Sequence, residues 1–166
     1  ESKAVEILQA QFEKVKLKRA ENVTNEGRIF VAVKDDGSEA AAVEILCESA
    51  PVAGGEDLKR LGESLADHLL NGPGASSTEE LMSQSPSGGD GKSFQEVYET
   101  MVNKIREKIE LNRIARVKGP VGVYVHHDGK TAVLFEAEGA KADSPVLRDV
   151  AMHIAAMKPQ VATTEK

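Results

Sequence analysis

Several short clusters carry residue types that could do chemistry. Gly91-Lys92-Ser93 places a lysine after a glycine at a helix start, where it could neutralise a nucleotide phosphate. A full phosphate loop needs a glycine where Pro86 stands and a strand just before it, so the segment reads as a loop with a helix cap. His126-His127 offers two imidazoles to a metal ion. Consecutive residues on a strand point to opposite faces, and no acid or thiol at useful spacing completes a ligand set. Cys47 as a nucleophile would need an activating histidine or a helix N-terminus; it ends an apolar strand, where inert packing is expected. His68 and His153 fall on largely apolar helix faces and read as satisfied core residues, while Glu79-Glu80 reads as solvated surface. These residues specify no enzyme, metal or cofactor.

Composition narrows the class further. With 166 residues, 40% of them hydrophobic, the chain suffices for one ordinary domain, with room for two subdomains. A net charge of -6 argues against a nucleic-acid scaffold, because duplex binding depends on clustered Lys and Arg. Lys14, Lys16, Lys18 and Arg19 do cluster, but on a helix, as a solvated face. Four Phe, two Tyr and no Trp leave little for base stacking. No window approaches the length of a membrane helix, and Glu1-Ser2-Lys3 leads into a charged amphipathic stretch rather than a signal peptide. The single cysteine suits a reducing cytoplasm, the expected location.

The elements that must position these residues follow from periodicity. Val5, Leu8, Phe12 and Val15 recur at helical spacing, which predicts a helix over residues 2–20. The apolar runs Ile29–Val33 and Ala40–Cys47, joined by Asp35-Asp36-Gly37-Ser38, predict a hairpin. Leu58, Leu61, Leu65 and Leu69 mark a helix over Glu56–Leu70. Residues 71–92, dense in Gly, Ser and Pro, read as a mobile surface insertion with a short helix at Thr78–Met82. Ser93 and Glu96 form a capping box, after which Phe94, Tyr98, Met101, Ile105 and Ile109 trace one helix face. A second hairpin, Val121–His126 and Thr131–Glu136, turns at Asp128-Gly129. The run Arg148–Gln160, with Ser144 as N-cap, Pro145 at the first helical position and Pro159 beyond, predicts a closing helix. It carries no charged side chain between Val150 and Met157, so burial on most sides is expected.

The two hairpins look like copies. Phe30-Val31-Ala32-Val33 with Asp36-Gly37 parallels Val123-Tyr124-Val125-His126 with Asp128-Gly129, and Leu65-Ala66-Asp67-His68-Leu69 parallels Val150-Ala151-Met152-His153-Ile154. The fold class expected is therefore α+β, with antiparallel β-hairpins covered by helices in duplicated hairpin-plus-helix units.

The closing run, together with Lys104–Ile109, Arg113-Ile114-Ala115-Arg116, Gly122-Val123-Tyr124-Val125-His126 and Ala132-Val133-Leu134, closely resembles the core of bacterial elongation factor Ts. The N-terminal half is similar more loosely, through Ala4–Leu8, the first hairpin and Val43–Glu48. The resemblance implies a guanine nucleotide exchange factor that promotes GDP release from the GTPase elongation factor Tu by contact alone, with no cofactor. It also implies that residues 1–20 are the tail of a missing three-helix module, that 21–166 form the core domain with an insertion at 71–92, and that two copies can pair through sheet and closing helix. In the family a Thr-Asp-Phe-Val motif after Cys-Glu enters the GTPase beside its magnesium. Here that stretch is Ser49-Ala50-Pro51-Val52, without carboxylate or ring. Ile105 matches a position that packs against the GTPase, and His126 one that reaches its phosphate-loop side. The loss at Ala50-Pro51 leaves a second reading open, a divergent scaffold or regulator that binds elongation factor Tu without exchange.

Overall fold

A computed structural model of the chain describes residues 2–159 except 89, 140, 142 and 143. The two Asp-Gly turns form as the sequence dictates. β1 (Glu26–Val33) and β2 (Glu39–Cys47) pair antiparallel with Val33 opposite Ala40, and Gly37 takes φ 68° in the turn. β4 (Val121–Val125) and β5 (Ala132–Glu136) pair likewise, with Gly129 at φ 69°. A β-carbon would be strained at either glycine.

The first hairpin gains a third strand. β3 (Ile109–Lys118) pairs antiparallel with β2, giving the order β1-β2-β3. The register slips between Glu44 and Ile45, leaving Asn112 as the extra residue of a bulge. Glu44 therefore accepts from both Asn112 Nδ2 at 2.6 Å and Arg113 Nε at 2.7 Å. Ile109 is thus a strand residue and no part of the preceding helix face. The helix stops because Arg106 adopts a left-handed conformation, φ 60°, which turns the chain back toward the sheet.

One face of this sheet holds the core. α3 (Glu56–Asn71) lays Leu58, Leu61, Leu65 and Leu69 over Phe30, Ala41, Val43, Ile45 and Cys47, all buried. Burying each leucine stabilises the fold by roughly 1.5–3 kcal/mol before entropy is counted. Gly62 lets α3 close onto the sheet, since a β-carbon there would overlap the Phe30 ring. α5 (Phe94–Ile105), opened by the Ser93/Glu96 capping box, adds Phe94, Met101 and Val102. α1 (Ser2–Arg19) packs on α5 through Phe12, edge-on to Tyr98 at 5.8 Å between ring centres. Only part of the expected α1 stripe is covered: Phe12 is buried and Val15 packs on the core, but Val5 and Leu8 remain about half exposed.

Residues 74–84, within the expected insertion, pack against the core rather than lying loose on the surface. α4 (Thr78–Ser83) is capped by the Ser77 side chain and buries Leu81 and Met82. Gln84 then bridges inward, its Oε1 accepting from His68 Nε2 at 2.9 Å and its Nε2 donating to Gly74 O at 2.8 Å. His68 is a satisfied core histidine, with its ring edge-on to Phe94. Gly91-Lys92-Ser93 follows α4 and a loop rather than a strand, and Lys92 pairs with Asp90, so the segment is a helix lead-in.

The second hairpin carries its own helix, α6 (Pro145–Met157), so the hairpin-plus-helix unit recurs. It reaches the first sheet at both ends. Gly119 N–H donates to Ser38 O at 2.8 Å near the first turn, and Ile29 N–H donates to Gly129 O at 2.7 Å on the free edge of β1. Among the described residues α6 is covered mainly by β4 and β5, burying Leu147 and Ala151 while Val146, Val150, Met152 and Met157 stay exposed. The expectation of burial on most sides fails for that reason, and His153, read as a core residue, lies exposed. Gln160, the last residue of the closing run, lies outside the described residues.

Candidate functional site

The C-terminal end of β2 is where the structure gathers most of the residues singled out in the sequence. Cys47 ends the strand opposite Glu26 on one side and Ile109 on the other. Its thiol is fully buried, and burial pushes its pKa up while Sγ donates weakly to Ser49 O at 3.4 Å. A buried, protonated sulfur packs; it does not attack.

Glu48 ties three elements together. Its Oε2 accepts from Arg19 at 2.9 Å and Asn22 Nδ2 at 2.8 Å, and its Oε1 accepts from Lys108 N–H at 2.6 Å. Burial works to raise its pKa, but these donors outweigh it and the carboxyl sits below its ordinary value. The chain then enters α2 (Ala50–Ala53), a single turn with Ser49 at its N-cap. The Ser49 side chain makes no capping bond; its Oγ donates instead to Glu107 Oε1 at 2.7 Å. Glu107 Oε2 is buried with no hydrogen-bond partner among the described residues.

These bonds fix the 49–53 turn against the segment that joins α5 to β3. Ile105, the last residue of α5, packs against the core while remaining partly open, and Val52 does the same from α2. Ala50 and Pro51 stand exposed at the outer edge of the turn. Two tight backbone turns, one after β2 and one before β3, therefore form a continuous patch at one end of the sheet.

The turn of the second hairpin approaches the same end. Lys130 Nζ pairs with Glu26 Oε2 at 2.7 Å, and Glu26 lies opposite Cys47. His126 is half-buried just past β4, its ring at 2.9 Å from Tyr124 Oη through Nδ1 and 4.2 Å from the His127 ring between centroids. The strand argument that set these histidines on opposite faces does not hold, because β4 ends at Val125. No group of three metal-ligating side chains occurs among the described residues. Asp128 is held below the usual carboxylate range first by the Lys130 N–H, with His126 and His127 adding to it.

A family profile described as Elongation factor TS matches residues 48–166, most of the chain and every element from Glu48 onward. The chain belongs to the elongation factor Ts family. Its relatives include the elongation factor Ts of Cytophaga hutchinsonii, 38% identical over 160 residues that cover 94% of this chain and 56% of the relative. Those of Aquifex aeolicus and Clostridioides difficile are 33% and 34% identical, covering 98% and 99% of this chain and 59% and 55% of theirs. The chain thus spans a little over half the length of the curated relatives it matches. Among its described residues no helix is long and apolar enough to cross a membrane.

In this member of the elongation factor Ts family, Ser49, Ala50, Pro51 and Val52 are braced through Glu107 beside Ile105, and His126 lies on the hairpin turn docked at the same sheet end. Sequence reasoning missed Glu107 and Tyr124. Glu107 gave no signal of its own, since its role depends on a contact with Ser49 across the fold. Tyr124 gave none either, since His126 lies past the end of β4 and strand alternation does not reach it.

Proposed function

We propose that this chain forms the core of a cytoplasmic guanine nucleotide exchange factor for elongation factor Tu, promoting GDP release during translation elongation. The observation that carries the reading is the patch at the end of β2, where an exposed turn at Ala50-Pro51 is braced by the Ser49–Glu107 and Glu48–Lys108 bonds beside Ile105. A rigid, protruding turn can engage a partner with little ordering cost. The factor works by differential binding: it holds the nucleotide-free GTPase more tightly than the GDP form, so each ligand weakens the other by the same free energy. No covalent step is involved.

The family's carboxylate and aromatic ring are missing from Ala50-Pro51, so the push on the magnesium side is weak and exchange depends on Ile105 and on His126 toward the phosphate side. That loss also favours a second reading, a scaffold or regulator that binds the GTPase without accelerating release. Pairing of two copies belongs to the same proposal, with the exposed apolar residues of α6 as the surface and light scattering as its check. Stopped-flow release of labelled GDP from elongation factor Tu separates the two readings: no acceleration at saturating protein would leave only the scaffold. In the double variant Ala50→Asp, Pro51→Phe, a phenylalanine buries on the order of 100 Å² more than proline. At about 25 cal/mol per Å² this is worth up to roughly 2.5 kcal/mol in binding, so release at subsaturating protein should quicken.

A further inference from the structure

The exchange reading uses His126 but gives no role to Tyr124, two residues earlier. The main chain of His126 is fully occupied by its own turn: its N–H donates to Thr131 O at 2.8 Å and its carbonyl accepts from Gly129 N–H at 2.9 Å. The turn is anchored in its turn by Ile29 N–H on Gly129 O and by Lys130 on Glu26. With the backbone fixed, the ring's rotation and tautomer remain to be set. Among the described residues the ring's only hydrogen bond is to Tyr124 Oη, at 2.9 Å from Nδ1. A phenol is a good donor and a poor acceptor, and no other acceptor among the described residues takes its proton. With the hydroxyl donating to Nδ1, a neutral imidazole carries its proton on Nε2. Tyr124, His126, Thr131, Met152 and Ala156, with Asp128 and Lys158 at the rim, line a hollow of about 250 Å³ between the hairpin turn and the end of α6. That is room for one inserted side chain or loop tip.

We propose that Tyr124 is a positioning residue, which locks His126 as the Nε2–H tautomer so that the ring presents one donor to a carbonyl or carboxylate oxygen of a protein partner seated over this hollow. The inference rests on the reading of His126 as a partner-binding residue, and its two halves are separable by experiment. Imidazole proton–nitrogen spectra near about pH 8, where an ordinary histidine is neutral, should show His126 as the Nε2–H form. In Tyr124→Phe the same signals should move toward a tautomer mixture. A dominant Nδ1–H form in the unaltered protein, or signals unchanged in the variant, overturns the positioning role whatever the exchange activity.

The partner half is read from GDP release by elongation factor Tu. Tyr124→Phe should raise the protein concentration giving half-maximal acceleration by about fivefold, the value of one hydrogen bond. In a His126→Ala background it should add nothing, because Tyr124 acts through His126. Equal losses in both backgrounds would mean that Tyr124 acts on its own, against the proposal. Unchanged release in His126→Ala would refute the partner contact, with the spectra still deciding the tautomer.

Discussion

Removing the Ser49 hydroxyl tests whether the candidate patch is braced as the geometry requires. In Ser49→Ala the loss is confined to a single interaction, because Ser49 makes no side-chain cap on α2 and its Oγ serves only Glu107 Oε1 at 2.7 Å. A hydrogen bond to a charged acceptor is worth about 1.5–3 kcal/mol. Glu107 is half-buried, so the lower end applies, and its other oxygen already lacks a partner among the described residues. The variant should therefore lose about 1.5 kcal/mol, which at a urea dependence of about 1–3 kcal/mol per molar moves the midpoint down by roughly 0.5–1.5 M. Glu107→Ala should absorb the effect, so that the double variant is no less stable than Glu107→Ala alone. A coupling between the two sites below about 0.3 kcal/mol would refute the bracing argument.

Other outcomes follow from the packing. Leu81→Ala should destabilise by about 2–5 kcal/mol in urea unfolding, as for any buried leucine, whereas a loose insertion would tolerate it with a change under about 0.5 kcal/mol. Gly62→Ala should destabilise by about 1–3 kcal/mol despite alanine's better helix propensity, because its methyl meets the Phe30 ring, and Phe30→Leu should recover part of the loss. Burial, with Glu110 and Glu99 nearby, pushes the Tyr98 phenol up to about 12 from an ordinary value near 10. Its folded pKa is raised, so its contribution to stability is complete below pH about 10 and is lost as pH climbs toward 12. Absorbance titration should show Tyr98 still protonated at pH about 10, and its ionisation there would contradict that burial.

The two hairpins and the capping box were legible because their signals are local. Asp36-Gly37 and Asp128-Gly129 demand positive φ, and Ser93 with Glu96 satisfies its own helix end. β3 was hidden because Ile105 and Ile109 are four apart and extend a helical stripe, while the residue that breaks it, Arg106, is neither glycine nor proline. Residues 71–92 misled through composition: Gly, Ser and Pro outnumber the two residues that matter, Leu81 and Met82, and the Gln84–His68 bond forms only across the fold. The closing helix misled in the other direction, since an uncharged sequence does not say how many neighbours a helix has. Of the site, the positions 49–52, 105 and 126 were named through family resemblance. Their gathering at the end of β2, and the partners Glu107 and Tyr124, depend on contacts that no spacing in the sequence reveals.

The proposed exchange function requires that this chain and GDP compete energetically on elongation factor Tu. The direct measurement is calorimetric titration of the chain into elongation factor Tu, once free of nucleotide and once saturated with GDP and magnesium. Binding should be at least about tenfold tighter to the nucleotide-free form, within the usual range of such couplings. Equal affinity for the two forms would contradict it.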